Sequence, residues 1–283
     1  MSYANFIPTL WATEILKERD DVIVAAKLCN RDYEGEIKQA GDKVKINGVG
    51  RPTVSDYNDL TGLSDMERLA DHSTMLEITE QKAFHFYVGD IDKRQAKGDL
   101  MSAEKSEAAA ALAEVEDTFI YEQIALDAGI NDISVTSLTA KNVMSTLSGV
   151  LAKLWKNGVP RNEKIYLECT PEFVEKLMLA NVLVNTDNSK IITNGAVGTL
   201  KVFNIEVYMS TNLKHTSTGG DFCVVRTRKA VTCADQLTEI KAYEPSKYFG
   251  EAIKGLQVYG AKVIRPKECA VIKVKAYGAE TDI

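Results

Sequence analysis

The chain is poor in the residues that most chemistry needs. Histidine occurs three times in 283 residues, at His72, His85 and His215, and no spacing brings two rings towards one metal ion. Cysteine occurs five times, at Cys29, Cys169, Cys223, Cys233 and Cys269. That set is odd, scattered and without a Cys-x-x-Cys pair, which argues against a disulfide framework and against a zinc site. Most of these cysteines lie in apolar or strand-like runs such as Phe222-Cys-Val-Val and Glu268-Cys-Ala-Val-Ile, where a reduced thiol packs as a small hydrophobe. There is no Walker loop, no dinucleotide fingerprint after a strand and no Gly-x-Ser-x-Gly elbow. Long apolar runs are missing too, so no bilayer-spanning helix is expected, and Met1-Ser-Tyr-Ala-Asn-Phe-Ile-Pro offers no basic leader before an apolar core. The expectation is a cytosolic, unexported chain. Positive charge is in short supply: a net charge of -6 and a pI near 5.3 leave no broad basic face for reading a nucleic acid duplex. What is present is a composition with 45% apolar and 26% charged residues, enough for one large domain or two to three lobes with real cores.

The remaining polar candidates each have a plainer structural reading. His85 stands between Phe84 and Phe86 on an alternating strand and points away from them, with no converging partner in the sequence. Asp90 and Asp92 could bind a cation or act as an acid and base pair, but turn hydrogen bonds ahead of a helix explain them better. Gly195-Ala-Val-Gly198 has the form of some RNA-binding loops without their basic helix, and reads as a turn. Arg226, Arg228 and Lys229 form the densest basic cluster; they could face nucleic acid or a carboxylate, and a solvated strand end fits equally well. No catalytic, cofactor-binding or metal-binding residues are assigned, and no cofactor is expected.

Two strand patterns, Asp42 to Val49 and Thr74 to Val88, are joined by a linker rich in Asp, Gly, Thr and Arg from Gly50 to Ser73. In the second, Thr74, Leu76, Ile78, Phe84, Phe86 and Val88 share one face, and a single strand of that length would reach roughly 50 Å. A two-stranded ribbon is marginal alone, so this one is expected to lie on something else, most simply another copy of the chain. Before it, Leu10, Ile15, Leu16 and the Val22 to Leu28 cluster read as an arm ending in a short helix. After it, a helix capped by Asp99 or Ser102 runs to about Ala128, roughly 40 Å, with Leu112, Val115, Phe119 and Leu126 as its buried stripe. A second helix follows Thr139, with Val143, Leu147, Val150, Leu151 and Leu154 inward and Gly158-Val-Pro160 as its stop. A third begins at Thr170-Pro171, with Phe173, Val174, Leu177 and Met178 inward, and Lys164-Ile-Tyr-Leu-Glu is a short strand before it. Strands are expected at Leu200 to Tyr208, Phe222 to Val225, Gly255 to Pro266 and Ala270 to Ala276.

This order of arm, long hairpin, long helix, helix-and-strand lobe and closing strands resembles tailed-bacteriophage major capsid proteins of the Hong Kong 97 (HK97-like) fold. The residues that carry the resemblance are Phe6-Ile-Pro-Thr-Leu-Trp11, Asn30-Arg-Asp-Tyr-Glu-Gly-Glu36 before Gly41-Asp-Lys-Val-Lys-Ile-Asn47, Asp90-Ile-Asp-Lys-Arg-Gln-Ala96, Ile192-Thr-Asn-Gly195-Ala-Val-Gly198 and Gly255-Leu-Gln-Val-Tyr-Gly-Ala-Lys-Val-Ile-Arg-Pro266. It implies an α+β chain with an N-terminal arm (1–31), an extended E-loop hairpin (32–89), a P-domain with a long spine helix (90–134), an A-domain (135–234) and return strands of the P-domain (235–283). It further implies pentamers and hexamers that close into an icosahedral shell around non-specifically held double-stranded DNA, with heterologous contacts in which each ribbon lies over a neighbour. The location implied is the virion, after assembly in the cytoplasm of a bacterial host, with no membrane involved. Because Phe6-Ile-Pro stands almost at the start, a separate scaffolding protein is implied, along with a portal. The family's lysine-to-asparagine crosslink finds no matched positions, although Lys43, Lys45 and Lys82 are present, and no crosslink is expected. The intersubunit contact candidates are Phe6, Leu10, Trp11, Leu76, Ile78, Phe84 and Phe86. An encapsulin-like cellular nanocompartment shell and a cytosolic enzyme of unrecognised family are the alternatives.

Overall fold

The computed structural model describes residues 23–33, 43–49, 53–54, 71–89, 100–126, 131–180, 183–184, 196–200, 205–247 and 249–278. Phe6, Leu10, Trp11, Asp90 and Asp92 lie outside them, as does most of the linker between the two ribbon strands. The class is α+β, with two sheet systems and a ribbon.

The ribbon pairs β1 (Lys43–Val49) with β2 (Asp71–Glu77) antiparallel, from Lys43 opposite Glu77 to Val49 opposite Asp71. The stretch expected to be one strand from Thr74 to Val88 is two. It breaks at Ile78-Thr79, and β3 (Glu80–Gly89) then joins a different sheet. That sheet has the order β11 (Val231–Tyr243), β12 (Gly250–Val263), β3, all antiparallel. Gly260 of β12 lets the break pass: a Cβ there would sit 2.3 Å from the Glu77 carbonyl oxygen. Val44, Ile46, Leu76 and Ile78 then pack on Ala234 and Val258, so the base of the ribbon is covered by its own chain and needs no second copy.

The long helix α1 (Leu100–Leu126) lies on one face of the three-stranded sheet. Its buried side differs from the expected stripe. Ala109, Leu112, Ala113, Ile120, Tyr121 and Ile124 are inward together with two acids, Glu116 and Asp117, whereas Val115 and Leu126 face outward. The reason is chemical: both carboxylates accept hydrogen bonds from buried donors, as described below, and the helix rotates to bury them.

The large sheet takes the order β4 (Asn131–Val135), β13 (Cys269–Val274), β10 (Gly220–Thr227), β5 (Ile165–Cys169), β8 (Glu206–Met209), β7 (Ala196–Leu200), β6 (Leu183–Val184), with β9 (His215–Thr216) beside β10. Its β4–β13 and β5–β8 pairs are parallel and the rest antiparallel. Of the two closing strands, β13 is an inner strand of this sheet, whereas β12 runs with β11 in the three-stranded one. Helices α2 (Ala140–Lys156) and α3 (Pro171–Leu179) cover one face. The inward residues expected of α2 are all buried, and Thr139 caps it, its N–H donating to Asn142 Oδ1 at 2.8 Å. In α3 Phe173, Val174 and Leu177 are buried but Met178 is exposed. Strand alternation divides β10 between two cores: Cys223 and Val225 face the helices, while Val224 faces α1 and residues 23–29.

Candidate assembly elements

Residues 23–30 are gripped on both sides. A short 3-10 turn, Ala26–Leu28, has no side-chain cap of its own. Asp117 of α1 replaces it: Oδ2 accepts from the Val24 N–H at 2.9 Å, and Oδ1 accepts from the N–H groups of Ala25 and Ala26 at 2.9 and 3.4 Å. On the carbonyl side, Arg226 of β10 donates through Nη2 to Ala25 O at 3.0 Å and through Nη1 to Leu28 O at 3.1 Å. Arg228 Nε donates to Cys29 O at 3.2 Å, and Asn30 forms an isolated parallel bridge with Thr232 of β11. Arg226 is itself fully buried and clasps Glu168 of β5, with Nε to Oε1 at 2.6 Å and Nη2 to Oε2 at 3.2 Å.

The electrostatics follow from this burial. Loss of water pushes the Asp117 carboxyl up to about 7 against the pull of the three backbone N–H groups. Burial likewise drives the Tyr121 hydroxyl far up, helped by the Glu168 and Asp117 carboxylates. Burial alone would make Arg226 less basic, but Cys29 and Glu168 beside it reverse that and hold its guanidinium charged. The basic cluster read from the sequence is divided, with Arg228 and Lys229 exposed just after β10. Arg226 is interior, Arg228 is turned to the Cys29 carbonyl, and Lys229 pairs with Glu163. The signal for Arg226 was its strand parity, which puts it on the same face as Val224.

The five cysteines are free and buried. Among the contact candidates, Leu76 and Ile78 are 0% and 2% exposed, so in this conformation they offer no area to a neighbour. Phe84 and Phe86 are half-buried between the sheet and α1, Phe84 against Ala109 and Leu112, with stacked rings 6.0 Å apart. Gly255 makes room for them: a Cβ there would lie 2.3 Å from the Phe84 ring. His85 points to the opposite face, as its parity requires. His215 has a partner that the sequence did not suggest. Its Nδ1 lies 2.6 Å from Asp221 Oδ1, and the Tyr277 hydroxyl donates to Asp221 Oδ2 at 2.8 Å while lying 2.7 Å from Thr170 Oγ1. This network pins the end of β13 to the start of α3, and among the described residues no group of His, Cys, Asp and Glu is arranged to hold a metal ion. No helix among the described residues is long and apolar enough to cross a membrane.

No protein-family model matches the chain, and no curated protein matches it. Solved structures do. One from Mycobacterium phage Che8 is 26% identical, with a TM-score of 0.69 over 88% of this chain and 90% of that one. The capsid structure of the cyanophage P-SCSP1u is 17% identical, with a TM-score of 0.68 over 90% of this chain and 87% of that one. A virus-like particle from Pyrococcus furiosus is 13% identical, with a TM-score of 0.61 over 96% of this chain and 100% of that one. The chain therefore has the fold of subunits in solved phage capsids.

Proposed function

We propose that this chain is the major capsid protein of a tailed double-stranded DNA phage or prophage, assembling through pentamers and hexamers into an icosahedral shell around the genome. The observation that carries this reading is the match to phage capsid subunits along nearly the full length of both chains. The site geometry supports it: the arm root and the ribbon are both fixed at their bases inside the subunit, as elements that reach other subunits require. In this reading residues 1–31 are the arm, 32–89 the E-loop, 90–134 the P-domain with α1, 135–234 the A-domain and 235–283 the return segment. Of that return segment, β12 lies in the three-stranded sheet and β13 in the large one. Phe6, Leu10 and Trp11 are the arm's contact residues. A separate scaffolding protein and a portal complete the assembly in the host cytoplasm, and the DNA is held without sequence preference, as suits a chain of net charge -6. A second reading, a cellular nanocompartment shell, draws on the match to the whole chain of the Pyrococcus furiosus particle.

Electron microscopy with mass analysis, on the chain expressed with and without a candidate scaffold, tests both. Closed shells or five- and six-fold rings are expected, and nucleic acid or protein inside them divides virus from nanocompartment. Persistent monomers or dimers under both conditions would overturn the shell reading.

A further inference from the structure

The register of the large sheet gathers five strand ends at one edge. The end of β10 at Thr227 lies beside the starts of β5 and β13, while β8 begins beside β5 and β4 beside β13. Two connections close onto the same edge. Asn157, at the C-terminus of α2, donates through Nδ2 to Lys267 O at 3.3 Å and so meets the 3-10 turn Pro266–Glu268. Lys229 reaches Glu163 Oε1 at 3.2 Å and draws in residues 160–163. Acids outnumber bases by 40 to 34 in the whole chain, but not here. The three acids brought to this edge are already engaged: Glu163 by Lys229, Glu206 by Lys164 at 2.9 Å, and Glu268 by Arg265 at 3.0 Å and the Thr227 hydroxyl at 2.6 Å. Lys156, Arg161 and Lys267 remain exposed with no ion-pair partner among the described residues, and Arg228 is exposed beyond the Nε that it gives to the Cys29 carbonyl. The negative end of the α2 dipole accounts for Lys156. The other three come from three separate segments, and gathering their charges at one edge is unfavourable unless an anion answers them.

We infer that this edge of the large sheet holds the phosphate backbone of double-stranded DNA, with Lys156, Arg161, Arg228 and Lys267 as its contacts; the inference rests on the shell reading above and turns this edge towards the interior. Charge complementarity selects the occupant. Five adjacent strands about 4.8 Å apart spread the edge over roughly 19 Å, more than the roughly 12 Å width of the major groove, so groups along it can meet phosphates of both strands. Long side chains without fixed internal partners suit a repeating row of phosphates, which asks for charge and not for base readout. The net acidic remainder of the chain repels the duplex and confines the contact to this edge.

The test uses the soluble full-length subunit and a short duplex of random sequence, with binding read by fluorescence anisotropy across a salt series. K156Q/R161Q/K267Q is expected to weaken binding about tenfold or more at low salt and to lower the slope of log K against log salt by about 3, one for each phosphate contact removed. K45Q/K247Q/K254Q takes the same charge from exposed lysines on the ribbon and on the β11–β12 hairpin, and is expected to keep the wild-type slope. K156R/R161K/K267R is expected to keep it too, because the charges are unchanged. An unchanged slope in the first variant would overturn the inference. So would an equal loss in the lysine control, which would reduce the effect to net charge. Tighter binding of polyglutamate than of the duplex would also overturn it and give the edge to an acidic protein partner. Failure of the shell reading shows separately, as absence of closed particles from the wild type in microscopy, and leaves these slopes where they are.

Discussion

Replacing Arg226 with methionine is the sharpest test of how the arm root is held. The substitution keeps most of the side-chain volume but leaves the Glu168 carboxylate buried without its partner, and removes the donors to Ala25 O and Leu28 O. Breaking a buried ion pair from one side costs about 3–5 kcal/mol, and the orphaned Leu28 carbonyl about 1–3 kcal/mol, since Ala25 O still accepts from the Leu28 N–H at 3.2 Å, the terms overlapping because they share one environment. The expected loss is therefore about 4–6 kcal/mol, comparable to the whole stability of many domains. Removing both charges at once, as Glu168→Leu with Arg226→Met, abolishes the uncompensated carboxylate and leaves only the carbonyl losses, about 1–3 kcal/mol. Urea unfolding of the soluble subunit measures the global term. Amide exchange at Val24, Ala25 and Ala26, whose N–H groups are held by Asp117, measures the local one, and a root loosened by about 3 kcal/mol exchanges on the order of a hundredfold faster. A single variant that loses less than about 1 kcal/mol, or a double variant no better than the single, would refute the view that this pair is a structural clamp.

Three other outcomes follow from the same structure. Asp117 is held at about 7 when folded and near 4 when unfolded, so the folded chain carries the extra proton between those values. Its contribution to stability is then largest in acid and is lost as pH rises towards 7, by at most about 1.4 kcal/mol per pH unit. The unfolding free energy of the wild type relative to Asp117→Asn should fall from pH 5 to pH 8, and a flat offset would mean that the three N–H groups keep the carboxylate ionised throughout. Gly255→Ala forces the Phe84 ring away from its seat and should lower subunit stability by about 1–3 kcal/mol, measured by thermal melting before any assembly; an unchanged melt would show that the ring is free to move. Removing residues 1–11 should weaken assembled particles more than free subunits, and equal losses in calorimetry of the two would argue against an intersubunit arm.

Much of the helical layer was legible because its signals are local. Thr139 and the Thr170-Pro171 pair mark helix starts, and the 3.6-residue period gives the buried face of α2 residue by residue. The spine helix was legible in extent but not in orientation. A hydrophobic stripe predicts Val115 inward, whereas the chain buries Glu116 and Asp117 to accept from Gln257 at 2.8 Å and from the arm root, a demand set by partners 141 and about 92 residues away. Strand β11 was missed altogether. Its alternation changes phase at the bulge between Leu237 and Glu239, which erases the two-residue period over its length. The break at Ile78-Thr79 was invisible for the opposite reason: Leu76, Ile78, Phe84 and Phe86 keep one parity across it, and only the close approach of Gly260 reveals that two sheets share the stretch.

The placement of the polar contacts argues that segment 23–30 is a deliberate anchor and not a packed remnant. Segment 23–30 is too short and irregular to satisfy its own backbone, and every donor or acceptor buried with it must find a partner elsewhere. Here the partners come from three elements at once: Asp117 from α1, Arg226 and Arg228 from β10 and the residues after it, and the β11 backbone at Val231 and Cys233 through Asn30. A root tied to only one element could peel away with it. This one cannot leave without exposing a buried carboxylate, a buried guanidinium and the apolar cluster of Ile23, Ala25 and Ile120 in the same step. Loosening residues 23–30 therefore disturbs the junction of α1 with the large sheet, where the two cores meet.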